Sequence, residues 1–175
     1  MTNYFIVPGL GNSIGEHWQT YFEKSAANFY RVEQKDWDTP NSADWVENIS
    51  QAIAGYKPET VVLIGHSLGC IAIANWAKIS NFKIKGALLV APSDVEAPKY
   101  NFDTLGFEKV PLDGIDFKTI VVASTNDEWV NIHRAEFFAE CWGSEFINIG
   151  EAGHINTTSG FGEWKAGLEI LKILG

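Results

Sequence analysis

Three residues in this chain have the types and order needed for nucleophilic chemistry: Ser67, Asp127 and His154. Ser67 is the centre of Gly65-His66-Ser67-Leu68-Gly69, a polar break inside the apolar stretch Val61 to Ala77. Before the break the apolar residues are consecutive and mostly β-branched (Val61, Val62, Leu63, Ile64). After it they recur every three or four places through Ile71, Ala74 and Ala77. A buried strand therefore turns into a helix at Ser67. Strand, turn and helix around G-x-S-x-G form the context of a nucleophile elbow, in which the glycines let strand and helix approach while the serine takes a strained turn. A serine at this place is also a preferred helix N-cap, so the rest of the chain must supply a base and an acid.

An activated serine needs an imidazole within hydrogen-bond reach and a carboxylate to orient it. In an open α/β sheet these groups come from loops at the carboxyl ends of strands. His17 lies in the first predicted helix, His66 adjoins the serine and His133 lies in a predicted helix; His154 alone follows a predicted strand. Asp127, shortly after the strand ending at Ala123, is the expected carboxylate, with Glu128 as its neighbouring alternative. The order Ser, Asp, His is that of α/β-hydrolases. An oxyanion hole needs two aimed donors. The N–H of Leu68 is one, and Leu10 or Gly11 in Val7-Pro8-Gly9-Leu10-Gly11 is expected to give the other.

The elements that must position these groups are six short apolar runs: Tyr4-Val7, Phe29-Val32, Val61-Ile64, Ala87-Val90, Ile120-Ala123 and Phe146-Ile149. Helical patterns alternate with them at about Glu16-Ala27, Ser42-Ala54, Ser67-Ile79, Asn131-Trp142 and Phe161-Leu174. Ser13 to Glu16 has the capping-box pattern for the first helix, and Asn41 or Ser42 can cap the second. Strands without period-two alternation imply a parallel sheet covered on both faces. The expected fold is thus a three-layer, doubly wound α/β domain over residues 1–175, with a sheet of about six strands. The irregular segment from about Ser93 to Phe117 is the longest connection and is expected to border a pocket.

The chain has 175 residues, 46% of them hydrophobic and 20% charged, with a formal net charge of -9. No predicted element carries a basic cluster, which argues against nucleic acid and anionic membranes as partners. No stretch has the length to span a bilayer, and the N-terminus lacks a signal-peptide pattern. Cys70 and Cys141 show no metal-ligand spacing and read as buried thiols of a cytoplasmic protein. No metal or cofactor is expected. The nearest rival pattern, Gly9-x-Gly11 with Glu33 ending the second strand, imitates a dinucleotide fingerprint, but its third glycine would fall on Ile14.

With these residues in place, the chain resembles the retinoblastoma-binding protein 9 family of small serine hydrolases. The resemblance covers nearly the whole sequence and is carried by "VPGLGNSIGEHWQTYFE", "QKDWDTPNSADWV", "LIGHSLGC", "ASTNDEWV" and "GHINTTSGFGEW". It implies a compact α/β-hydrolase core without a lid domain, a triad on Ser67, Asp127 and His154, and hydrolysis of a carboxylic ester or related acyl bond. Where family members often carry Asp-Pro, this chain has Asp127-Glu128, and Leu10 stands where many have Trp. The Leu-x-Cys-x-Glu-like motif for a retinoblastoma-type partner is missing, so that partner is not implied.

Seven tryptophans occur. Trp18, Trp76, Trp142 and Trp164 sit on predicted helices and are assigned to packing, whereas Trp37 and Trp129 are expected to line the pocket. Such a pocket suits a small acyl substrate. The same triad serves thioesterases and amidases, and a binding protein that merely keeps hydrolase geometry is the alternative from another class.

Overall fold

All six apolar runs pair into one parallel sheet in the computed structural model, which describes residues 1–175. The strands are β1 (Asn3–Val7), β2 (Phe29–Arg31), β3 (Val61–His66), β4 (Gly86–Val90), β5 (Thr119–Ala123) and β6 (Glu145–Asn148), ordered β2-β1-β3-β4-β5-β6. The helices are α1 (Trp18–Ser25), α2 (Ser42–Ile53), α3 (Leu68–Ile79), α4 (Ile132–Trp142) and α5 (Lys165–Leu171). β3 and β4 are buried along their whole length, which explains their unbroken apolar sequence.

Side chains alternate across the sheet into two apolar layers. Phe5, Val7, Leu63, Leu89 and Val121 face the layer that includes Trp45 of α2, Trp76 of α3 and Phe138 of α4. Ile6, Val62, Ile64, Leu88 and Val122 face Trp18 and Phe22 of α1 and Leu171 of α5. Trp18, Trp76, Trp142 and Trp164 are buried as packing residues.

The strand order reverses direction between β1 and β3. β1 leads outward to β2, whereas β3 leads the other way to β4, and the crevice opens where β1 and β3 end side by side, Val7 opposite Gly65. Gly9 and Ser67 follow at this point.

Three local features depart from the sequence expectation. Helix α1 starts at Trp18, because Ser13 takes φ 47° in a turn and the cap is His17, whose Nδ1 accepts the Gln19 N–H at 3.2 Å. Asn41 caps α2 by accepting the Ala43 N–H at 2.9 Å. Helix α5 begins at Lys165, not near Phe161, after a short turn at Thr157–Ser159. Cys70 is buried, but Cys141 is only half-buried.

Between β4 and β5 no helix forms. Val95, Phe107 and Val110 of that connection instead plug into the larger apolar layer, and the N–H groups of Ser42 and Leu105 bond to the carbonyls of Leu105 and Pro40. The loop thereby does the covering that a crossover helix would do. No lid domain overlies the carboxyl edge, and no helix is long and apolar enough to cross a membrane.

Candidate active site

Ser67 joins β3 to α3 with φ 55° and ψ -124°, a conformation that non-glycine residues rarely adopt. The turn is tight because its surroundings leave no space. A Cβ on Gly65 would stand 2.8 Å from Ile73 Cδ1 and 3.1 Å from Cys70 N, and one on Gly69 would press on the carbonyls of Val7 and Pro8. Gly9 is needed from the opposite side, since a Cβ there would meet the Ser67 Cβ at 2.9 Å. The glycine that imitates a dinucleotide motif is thus a packing partner of Ser67.

The structure brings Ser67, His154 and Asp127 into one line. Ser67 Oγ lies 2.9 Å from His154 Nε2, and His154 Nδ1 lies 3.0 and 2.9 Å from the two Asp127 carboxylate oxygens. The Asp127 side chain is fully buried and that of His154 nearly so. A carboxylate accepts only, so His154 Nδ1 carries the proton and Nε2 presents its lone pair to Ser67. Glu128 lies outside this line and is exposed. Asp127 also accepts the Trp129 N–H at 2.8 Å, a turn that compensates for the absent proline.

The loops carrying acid and base are tied together. Asn126 Oδ1 accepts from the Ser124 hydroxyl at 2.8 Å and from the Gly153 N–H at 2.7 Å, and Ser124 Oγ accepts the Ala152 N–H at 2.9 Å. The His154 N–H donates to Ser159 Oγ at 3.2 Å, and Trp18 Nε1 donates to the Ile155 carbonyl at 2.8 Å.

Three further side chains adjoin the line. Ser93, buried just after β4, places its Oγ 2.8 Å from Ser67 Oγ. Because the Ser67 proton is directed at His154, Ser93 is the donor of that pair. Sequence reasoning missed this residue; its signal was a serine directly past a strand's carboxyl end. His66 donates from Nε2 to the His154 carbonyl at 3.0 Å, and its ring lies 4.7 Å from that of His17. Burial is the main cause that lowers the His17 pKa to about 3, helped by Arg31 and His154, and it holds His66 well below its ordinary value. Both rings are therefore neutral at pH 7. The structure holds no group of three His, Cys, Asp or Glu side chains arranged for a metal ion.

The Leu68 and Leu10 N–H groups make no hydrogen bond. Gly11, the alternative donor, gives its N–H to the Trp37 carbonyl at 3.0 Å, so that amide is already engaged. Trp37 itself does not line the cavity above Ser67: its ring packs edge-on against Trp45 at 5.6 Å, behind the loop it was expected to flank. Trp129 does line the cavity, together with Tyr100 and Phe102 from the long β4–β5 connection. His17 and Asn156 also border it, and His17 caps α1 as well.

A family model described as serine hydrolase matches residues 4–173. The chain belongs to the serine hydrolase family. A YdeN-like hydrolase from Pectobacterium atrosepticum is 32% identical to this serine hydrolase, covering 99% of this chain and 92% of that one with a TM-score of 0.86. The ydeN gene product of B. subtilis, at 17% identity, covers 99% and 98% with a TM-score of 0.82. Esterase 2 of Thermogutta terrifontis, seen phosphonylated by cyclosarin, is 18% identical over 98% of this chain and 80% of that one, TM-score 0.68. These last two likenesses establish the α/β-hydrolase fold alone. No curated protein matches the serine hydrolase chain in sequence.

Proposed function

We propose that this serine hydrolase cleaves the carboxylic ester of a small substrate through an acyl-Ser67 intermediate. The observation that carries the reading is the line Ser67 Oγ, His154 Nε2, His154 Nδ1, Asp127, with 2.9 Å at both links. His154 removes the Ser67 proton as Oγ attacks the carbonyl carbon, and Asp127 stabilises the imidazolium so formed. The Leu68 and Leu10 N–H groups, free in the structure, are the donors for the developing oxyanion. Collapse of the tetrahedral intermediate breaks the bond to the alcohol, which leaves with the proton from His154. A water molecule, deprotonated in turn by His154, then releases the acid and restores the Ser67 hydroxyl.

Ser93 enters this scheme as a donor to the nucleophile, holding Oγ toward His154 while charge builds on it. The motif stretches around Gly9, Ser67 and His154 support assigning the chain to the retinoblastoma-binding protein 9 branch of its family. Unpaired Cys70 and Cys141 support a reducing, cytoplasmic setting.

The test is labelling of the purified chain with a fluorophosphonate, alongside turnover of p-nitrophenyl acetate. Thermogutta terrifontis esterase 2 has been phosphonylated by cyclosarin, which makes this probe class apt. Labelling and turnover lost in Ser67→Ala, and reduced by several orders of magnitude in His154→Ala, are expected. A folded protein that takes no label sinks the reading.

A further inference from the structure

The cavity over Ser67, about 380 Å3, is lined by no Asp, Glu, Lys or Arg side chain, in a chain with 13 basic and 22 acidic residues. Its histidines do not supply a positive charge to greet an anion either: burial keeps His17 and His66 neutral, and His154 offers Nε2 as a lone pair to Ser67. One part of the lining is aromatic, with Phe102 standing 5.0 Å from Tyr100 and 5.2 Å from Trp129 between ring centroids. Another part is uncharged and polar, from Asn156, Thr157 and Thr158.

An aromatic wall is the usual seat of an ammonium group, and a net charge of -9 draws cations toward the protein. Here a cation is already in place. Lys99 Nζ sits 5.1 Å from the centroid of the Trp129 ring and repels a second positive charge at that wall. An anion, in turn, would leave water for a cavity with no counter-charge, at a cost of several kcal/mol.

We infer that the substrate is an uncharged ester at both its acyl and alcohol ends, with its apolar part on Phe102 and Trp129. This rests on the hydrolase reading above and narrows it: esters bearing ammonium, carboxylate or phosphate groups within the cavity are rejected on charge. Lys99 is the residue that selects against cations.

The experiment compares charge isosteres on the full chain. Acetylcholine is set against 3,3-dimethylbutyl acetate, and 4-acetoxybenzoate against 4-acetoxyacetophenone, each kcat/KM divided by the ester's own rate with hydroxide. The same esters are ranked as protectants against fluorophosphonate labelling, so that an enzyme slow on all four still discriminates among them. Each neutral ester is expected to outperform its charged isostere at least tenfold. Lys99→Met is expected to raise the acetylcholine ratio threefold or more, and Thr157→Arg the benzoate ratio. A charged ester within threefold of its isostere, or protection by neither neutral ester, overturns the inference. Absence of the label at Ser67 in the uncompeted sample is the separate failure of the hydrolase reading.

Discussion

The His66 side chain donates from Nε2 to the backbone carbonyl of His154 across 3.0 Å, linking the residue before Ser67 to the backbone of its proton acceptor. One turn of chain therefore both presents the serine hydroxyl and fixes the loop that carries the imidazole. The His66 ring also packs 4.9 Å from the His154 ring and 5.8 Å from that of Trp18, whose indole N–H holds the next carbonyl, that of Ile155. His17 completes the brace. Its Nε2 and the Nδ1 of His66 are buried without partners; the first must carry hydrogen and the second must not, because their other nitrogens accept and donate, respectively.

Replacing His66 with Leu removes the donor while keeping an apolar side chain in the site. About a tenfold or larger fall in kcat with KM changed less than twofold is expected, since the binding cavity stays and only the base is misplaced. His66→Gln, which retains an N–H at the end of its side chain, is expected to recover much of that loss. Equal losses in both variants, with KM rising in step, would assign His66 to packing alone.

Ser93→Ala deletes the hydroxyl that donates to Ser67 Oγ at 2.8 Å. A hydrogen bond to a group gaining charge contributes about 1.5–3 kcal/mol, so the rate of fluorophosphonate labelling is expected to drop about tenfold to a hundredfold. Stability should change little, because the methyl group fits the same buried space. Stopped-flow labelling of Ser93→Ala and Ser93→Thr separates the cases: Thr keeps the hydroxyl and the rate, unless Ser93 is only a filler.

Stability should depend on pH through the buried histidines. The folded-state pKa of His17 is lowered to about 3, while the unfolded chain has the ordinary value of 6.5, so below pH 6.5 the unfolded state binds a proton that the folded state refuses. Stability is therefore complete above that pH and falls as pH drops toward 3, by about 1.4 kcal/mol per unit for each such group. His66, shifted the same way, adds to the slope. Urea unfolding at pH 7.5, 6 and 5 measures this. His17→Asn, which keeps a capping oxygen for Gln19, should flatten the slope by one proton; an unchanged slope would mean that His17 is protonated in the fold.

The sheet was readable because β3 and β4 are buried on both faces and so leave unbroken apolar runs, while Gly65 and Gly69 mark the elbow where backbones touch. Ser67, Asp127 and His154 were readable because only carboxyl-edge loops can gather them. The start of α1 was not, since a histidine cap outcompeted the Ser13 to Glu16 pattern once His17 was pinned beside His66. Nor was the fate of Trp37 legible. Whether an aromatic in a loop turns to the cavity or to Trp45 depends on packing between α2 and the Gly11 turn, contacts distant in sequence. Ser93 escaped notice for the same reason: its partner is 26 residues away, across the strand pair β3 and β4.

The strain at Ser67 gives a last prediction in which stability and activity part. At φ 55° and ψ -124° a residue with a side chain is held against its preference by the packing of β3 on α3 and of Gly9 on Ser67. Such strain costs about 1–3 kcal/mol, and glycine relieves it. Ser67→Gly is expected to unfold at a higher temperature than Ser67→Ala, even though glycine gains more entropy on unfolding, and both are expected to be inactive. Alanine keeps the Cβ and with it the strain. If thermal melts at pH 7.5 instead rank Ser67→Ala above Ser67→Gly by several degrees, the elbow is not strained, and its conformation is one the surrounding glycines merely permit.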